Sequence, residues 1–182
     1  EDSSLYKKNL KVFSMLINSR KFLLFLETLT GIESILADPF FIGGGAMTTG
    51  KKGFLNVHAD FNYHHKLQSW RRINVLFYLT PKWKKDWGGN LELWSKNKKK
   101  KIKEIAPLFN RVVIFNTTSV SFHGQPKPTE CPVNVCRNVF SAFYYSNVKD
   151  KNSMSKPHFT RYNIKNNPYA RKIIKNYKKI DY

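Results

Sequence analysis

The run Arg72-Ile73-Asn74-Val75-Leu76-Phe77-Tyr78-Leu79 sets the fold class of this 182-residue chain. Its β-branched and aromatic residues recur with a period near two, as expected of a strand with two distinct faces. Four further runs share that character: Phe54-Leu55-Asn56-Val57-His58, Asn90-Leu91-Glu92-Leu93-Trp94, Arg111 to Asn116, and Asn138 to Tyr145. Each is short and is bounded by Pro, Gly, Asn or Lys clusters. No helical pattern lies between them, so an antiparallel sandwich or jelly roll is expected over a βαβ fold. The fold class is therefore mainly β, with a core from about residue 39 to 146.

Working outward, the segment from about 5 to 36 reads as helical. Val12, Phe13, Leu16, Ile17, Leu23, Leu24, Leu26 and Leu29 recur at helical spacing, and Gly31 ends the pattern. One or two amphipathic α-helices should pack on one side of the sheets. Pro39 to Gly53 reads as a loop or short strands, and Lys96 to Lys103, six lysines in eight positions, as a solvated loop tip. The tail from 147 to 182 is basic, with ten Lys or Arg against Asp150 and Asp181. Within it Asn167-Pro168 is a helix start, and Tyr169, Ile173, Tyr177 and Ile180 form a stripe expected to pack back on the core. The whole chain, 1–182, is read as one domain.

Composition narrows the function classes. Apolar residues make up 41% of the chain and aromatics 15%, which excludes disorder throughout. Thirty-two Lys plus Arg against twelve Asp plus Glu give a net charge of +20, so the surface should draw anionic partners. Those partners include acidic peptides, nucleic acid and carboxylate-bearing small molecules; a merely decorated surface fits equally well. Cys131 and Cys136 are the only cysteines and are expected as reduced thiols. No apolar stretch approaches the ~20 residues of a membrane span. No signal peptide is read from Glu1 onward, and cytoplasmic is the default localisation.

Chemistry concentrates at His58-Ala59-Asp60. Residues i and i+2 of a strand share a face, so an H-x-D near a strand end presents an imidazole and a carboxylate to one point. Alone the tripeptide is weak, because buried His–Asp pairs are common. His123, 63 positions after Asp60, supplies a third candidate. Two His and one carboxylate on one face leave three positions open on an octahedral metal, the facial triad of non-haem iron. The spacing leaves zinc open as well. Arg137 begins the strand that ends at Tyr145, and its guanidinium would grip a carboxylate bidentately. Val139, Ser141 and Phe143 share its face, and Ser141 offers a hydroxyl. Arg72 and Asn74 share a strand face with Tyr78 and, with Glu92, are candidates for a substrate pocket; structural pairing of Arg72 and Asn74 fits equally. His64 and His65 follow in a polar stretch and are expected at the surface, as is His158.

The order of these blocks resembles the 2-oxoglutarate- and iron(II)-dependent oxygenases, and within them the prolyl 4-hydroxylase-like branch. The stretches that carry it are Leu55 to Asn62, Arg71 to Leu79, Trp87-Gly88-Gly89-Asn90-Leu91-Glu92-Leu93-Trp94, and Val113-Ile114-Phe115 leading to Ser121-Phe122-His123-Gly124. The resemblance covers about Leu26 to Ser146 and implies a double-stranded β-helix with flanking helices. It implies iron(II) on His58, Asp60 and His123, and 2-oxoglutarate held by Arg137 with help from Tyr78. Dioxygen is the oxidant it implies, with ascorbate as a reductant. The implied reaction is hydroxylation of an unactivated C–H bond, with a prolyl residue of a peptide or protein as the substrate it favours. Asp60 matters to that outcome, since relatives that halogenate lack this carboxylate. The arginine departs from the branch's usual lysine, which leaves a small molecule or a nucleobase open as substrate. A non-catalytic metal- or nucleic-acid-binding domain of the same fold is the contrasting class; against it, the lysines cluster in a loop and a tail and do not interleave with aromatics.

Overall fold

The computed structural model describes residues 8–150, 155–163 and 167–169. Two helices open it, α1 (Lys8–Ile17) and α2 (Arg20–Thr30). Ser19 caps α2 by accepting a hydrogen bond from the Phe22 N–H at 3.4 Å. Gly31, at φ +68°, closes it in the left-handed region, with its N–H on the Glu27 carbonyl at 2.9 Å.

The strands follow as β1 (Leu36–Ala37), β2 (Gly45–Thr49), β3 (Leu55–Ala59), β4 (Tyr63–His64), β5 (Ser69–Tyr78) and β6 (Leu91–Trp94). The rest are β7 (Lys101–Ile105), β8 (Val112–Asn116), β9 (His123–Gln125), β10 (Arg137–Ser146) and β11 (Arg161–Tyr162). They form two antiparallel sheets. In the larger, β5 and β10 are the central pair; β1 and β2 share the far edge of β10, while β4 and β8 share that of β5. The smaller runs β11-β3-β9-β6-β7. This is the jelly roll expected from the sequence.

Alternation along β5 and β10 divides the two cores. Ile73, Val75, Phe140, Ala142 and Tyr144 face outward and are covered by Ile17 and Leu26 of the helices. Phe13 of α1 meets Phe77 and Phe140 edge-on, at centroid distances of 4.9 and 5.3 Å. Burying Leu26 completely contributes about 1.5–3 kcal/mol. The opposite face carries Tyr78 and Val139 against Leu91 and Val113, closing the space between the sheets.

β2 occupies part of the Pro39–Gly53 stretch, in line with the reading of a loop or short strands. The lysine-rich segment is not wholly a loop, because β7 begins at Lys101, whose ammonium pairs with Glu92 at 3.3 Å and with Glu104. Cys131 and Cys136 are free. Among the described residues no helix is long and apolar enough to cross a membrane. The C-terminal stripe of Ile173, Tyr177 and Ile180 lies outside the described residues; Tyr169 sits 6.3 Å from Phe54, ring to ring.

Candidate active site

His58 and His123 are direct cross-strand partners on β3 and β9, so sheet register alone sets their rings side by side, 4.5 Å between centroids. Asp60 follows β3 and completes the cluster: His58 Nε2 lies 3.4 Å from its Oδ1 and His123 Nε2 lies 3.3 Å from its Oδ2. The Nδ1 atoms face the carbonyls of Asn56 (2.7 Å) and Ser121 (3.0 Å). A carbonyl only accepts, so each Nδ1 carries the proton and each Nε2 presents a lone pair. Burial pulls the His123 imidazole down to about 4, which keeps it neutral at ordinary pH.

Burial would push the Asp60 carboxyl up. The Arg71 guanidinium is the chief influence against it, and the group lies far below the usual carboxylate range. Three acceptor atoms, all within 4.8 Å of one another and all buried, therefore converge with lone pairs facing one another. A cation satisfies all three. Ligand atoms ~2.1 Å from a shared ion stand about 3.0–3.4 Å apart, which matches the His–Asp spacings. The residues fit a divalent metal.

Asp60 is itself clamped. Its Oδ2 lies 2.9 Å from an Arg71 Nη and accepts from Asn74 Nδ2 at 2.8 Å. Asn74 Oδ1 in turn accepts from Arg71 Nε (2.9 Å) and from the Thr117 hydroxyl (3.0 Å). Arg71 is wholly enclosed, with its guanidinium 3.4 Å over the Phe143 ring and 4.7 Å from that of Phe61. A carboxylate held this way keeps its orientation whether or not metal is bound.

Arg137, first residue of β10, enters the same cavity of about 370 Å³. Its Nε donates to the Gly89 carbonyl at 2.8 Å and one Nη donates to the Tyr78 hydroxyl at 3.5 Å. Gly89 sits at φ +72°, and a Cβ there would stand 3.0 Å from Arg137 Cδ, so glycine is what lets the arginine lie in this groove. Burial lowers the Arg137 pKa, partly offset by Tyr78, and among the described residues no carboxylate pairs with it. The pocket thus holds a metal-ligand cluster and, apart from it, an uncompensated buried cation.

The model of the 2OG-Fe(II) oxygenase superfamily matches residues 44–145, more than half the chain and the span that contains all four of these side chains. The chain belongs to this superfamily. Mouse prolyl 3-hydroxylase OGFOD1 is 39% identical to it over 57 residues, which are 29% of this chain and 10% of that protein. The chain therefore spans only a small part of that relative. Among solved structures, prolyl 4-hydroxylase from Phytophthora capsici is similar with a TM-score of 0.54 at 22% identity, over 82% of this chain and 48% of that one. A Pseudomonas putida prolyl 4-hydroxylase gives 0.48 at 14%, over 80% and 65%. The Phytophthora likeness reflects a common fold.

Within this 2OG-Fe(II) oxygenase chain, the cavity gathers His58, Asp60, His123, Arg137, Asn74 and Ser141. Tyr78 does not line it; it lies behind Arg137, 5.0 Å from ring centroid to guanidinium carbon. Arg72 is not in the pocket. Register on β10 runs Ile73↔Tyr144 and then Arg71↔Tyr145, so Arg72 is the extra residue of a β-bulge. The bulge resets the alternation, turning Arg71 inward and leaving Arg72 to donate to the Val148 carbonyl. Glu92 is also off the cavity. Its neighbour Leu91 faces in, and Glu92 turns away to accept from Trp94 Nε1 (3.0 Å) and Lys101.

His64, expected at the surface, is buried. It accepts the Leu67 N–H at Nδ1, and its Nε2 faces Asp38 Oδ1 at 3.4 Å. His158, also expected outside, is half-buried with Nε2 3.1 Å from the Ser119 hydroxyl. Residues 43–53 supply Gly43, Met47 and Thr49 to the cavity, whereas the lysine-rich segment 96–103 is not among its lining residues. Residues not expected at the site come from β11 and its approach: Thr160 and Tyr162 line the cavity, with the Tyr162 ring 5.3 Å from that of His58. Pairing of β11 with β3 puts Tyr162 opposite His58, a non-local contact with no sequence signal.

Proposed function

We propose that this chain is an iron(II)- and 2-oxoglutarate-dependent dioxygenase that hydroxylates a prolyl residue in a peptide or protein. The observation that carries the reading is Arg137: a buried guanidinium without a counter-charge among the described residues, sharing one cavity with three converging metal-ligand atoms. Burying a charge without a partner is costly, so an anionic ligand is its natural complement. A compact dicarboxylate that chelates a metal with one end and meets Arg137 with the other satisfies both features.

In this reading His58, Asp60 and His123 hold iron(II). With 2-oxoglutarate and dioxygen, the iron supplies the oxidising power for C–H hydroxylation, leaving succinate and CO2. The protein's part is placement. The Asn56 and Ser121 carbonyls fix the imidazole tautomers, and Arg71 with Asn74 fixes the carboxylate. Arg137, braced by Gly89 and Tyr78, receives the far carboxylate of 2-oxoglutarate, and Ser141 offers a hydroxyl on the same wall. Leu76, Leu91 and Val139 line the pocket with hydrocarbon, which excludes water and strengthens the charged contacts. Identity to a prolyl 3-hydroxylase over 57 residues supports the choice of a prolyl target.

The test is turnover. Protein, iron(II), ascorbate, 2-oxoglutarate and Pro-containing peptides are expected to yield succinate together with a product one oxygen atom heavier, located on proline by fragmentation. Succinate without any modified peptide would leave the oxygenase and remove the prolyl target. Absence of both, with metal and 2-oxoglutarate bound, would overturn the reading.

A further inference from the structure

A second cavity of about 570 Å³ adjoins the first and shares two of its walls, Phe61 and Thr160. Its surface is hydrocarbon and aromatic: Ile42, Phe61, Tyr63, Pro157 and Phe159. Phe159 is 85% exposed, an unusual state for so large an apolar side chain beside other apolar groups. His65 and Lys66 stand among its lining residues; among the described residues that lining includes no acid, and the exposed Lys156 and Arg161 bracket the lining segment.

This groove is built and held in place. Asn62 and Ser119, both buried, bind the segment that forms one of its sides. Asn62 Nδ2 donates to the Ser119 hydroxyl and to the Lys156 carbonyl, each at 3.2 Å. Its Oδ1 accepts the His158 N–H at 2.8 Å, and the Ser119 hydroxyl accepts the Ser155 N–H at 2.9 Å. The Phe61 N–H donates to Thr160 Oγ1 at 3.3 Å, tying the partition between the two cavities to the same segment. A clip of this kind presents Phe159 without a large ordering cost on binding.

We infer that the groove is a subsite for a second side chain of the peptide substrate, an apolar one with an acidic neighbour, bound while the target residue occupies the metal cavity. The inference rests on the prolyl-peptide reading above. Continuity through Phe61 and Thr160 lets one extended chain reach both cavities. The hydrocarbon lining selects the apolar side chain, and the basic rim selects the acidic neighbour. Specificity then comes from residues flanking the proline and not from the proline alone.

The experiment measures binding without turnover. Fluorescein-labelled Pro-containing peptides are titrated anaerobically with full-length protein, iron(II) and 2-oxoglutarate, and anisotropy is read. One peptide carries Leu and Asp near the proline and the other carries Gly and Ser. The Leu/Asp peptide should bind about ten-fold more tightly, and Phe159→Ala should erase most of that difference, as loss of an aromatic anchor does. Added salt should weaken only the Asp-dependent part. If both peptides bind equally and Phe159→Ala changes neither, the groove is not a subsite, while the prolyl reading stands. If no prolyl peptide binds, both fall together. Self-association relieved by Phe159→Ala would overturn the inference by assigning the groove to a second copy of the chain.

Discussion

Replacing Arg137 with Met separates a ligand-binding cation from a structural one, because the two roles predict opposite stability signatures. In the ligand-free protein Arg137 has two polar partners, Gly89 O and the Tyr78 hydroxyl, and no carboxylate among the described residues. Removing it forfeits a charge-assisted hydrogen bond of about 1.5–3 kcal/mol. It also relieves the desolvation of an unpaired ion, of the order of several kcal/mol. Met fills similar space, so the ligand-free variant should unfold within about 2 kcal/mol of the parent. The ligand-bound state behaves differently. Losing a buried charge-assisted contact costs about 2–5 kcal/mol, or roughly thirty-fold to several-thousand-fold in 2-oxoglutarate affinity. At one hundred times the parent Kd, the ligand stabilises the parent by about 2.7 kcal/mol and a thirty-fold weaker variant by about 0.9 kcal/mol or less. In a chain of this size those energies correspond to melting shifts of about 5–11 °C and about 2–4 °C. Thermal melts with Mn(II), with and without 2-oxoglutarate, read both quantities. A variant that melts far earlier without ligand yet keeps the full 2-oxoglutarate shift would refute the argument.

Three further outcomes follow from the same geometry. His58→Ala, Asp60→Asn and His123→Ala should each weaken divalent-metal binding at least a hundred-fold, on the order seen for lost ligands and their supports, measured by calorimetry with Mn(II); unaltered affinity in any one removes that residue from the cluster. Arg71→Met should destabilise the metal-free fold by about 3–5 kcal/mol, since it strands the buried Asp60 carboxylate without its guanidinium partner. The Arg71 effect should shrink as pH falls and the stranded carboxyl takes a proton, because the pairing that holds its pKa low is gone; urea unfolding at pH 7 and pH 4 gives the comparison. Gly89→Ala should cost about 1–2 kcal/mol of backbone strain at φ +72° and also weaken 2-oxoglutarate binding by pushing on Arg137, so a loss of stability with unchanged affinity would detach Gly89 from the pocket.

The parts of the site legible in the sequence are those set by local periodicity. His58 and Asp60 share a face because they are two apart, and Arg137, Val139, Ser141 and Phe143 line one wall because β10 alternates without interruption there. The helical N-terminal part and strands β3, β5, β6, β8 and β10 are legible for the same reason. What failed were positions decided by long-range contacts. Nothing in Tyr63-His64-His65 distinguishes the buried imidazole from the exposed one; the choice is made by Asp38, 26 positions away in the chain, whose carboxylate also caps the Phe40 and Ile42 N–H groups at 2.8 Å. Glu92 turns away from the pocket toward Lys101, which lies in a run that reads as solvated loop but begins β7. Thr160 and Tyr162 reach the cavity only through pairing of a two-residue strand, too short to carry a pattern.

The most instructive contrast lies in two arginines with nearly equal burial and opposite accounts of it. Arg71 has its counter-ion in Asp60 and is enclosed between aromatic rings, so its charge is already used within the protein. Arg137 lies in the same cavity wall, and among the described residues its guanidinium meets two neutral oxygens, the Gly89 carbonyl and the Tyr78 hydroxyl. Sequence alternation favoured Arg72 over Arg71, and only the bulge between β5 and β10 reverses that choice. Had the bulge been absent, Arg71 would face the helices and Asp60 would lose its main charge partner. The bulge therefore supplies Asp60 with its own cation, and Arg137 stands as the charge in the pocket that no carboxylate among the described residues neutralises. In the proposed function, Arg137 is the cation left to meet an anionic co-substrate, while Arg71 is already matched by Asp60.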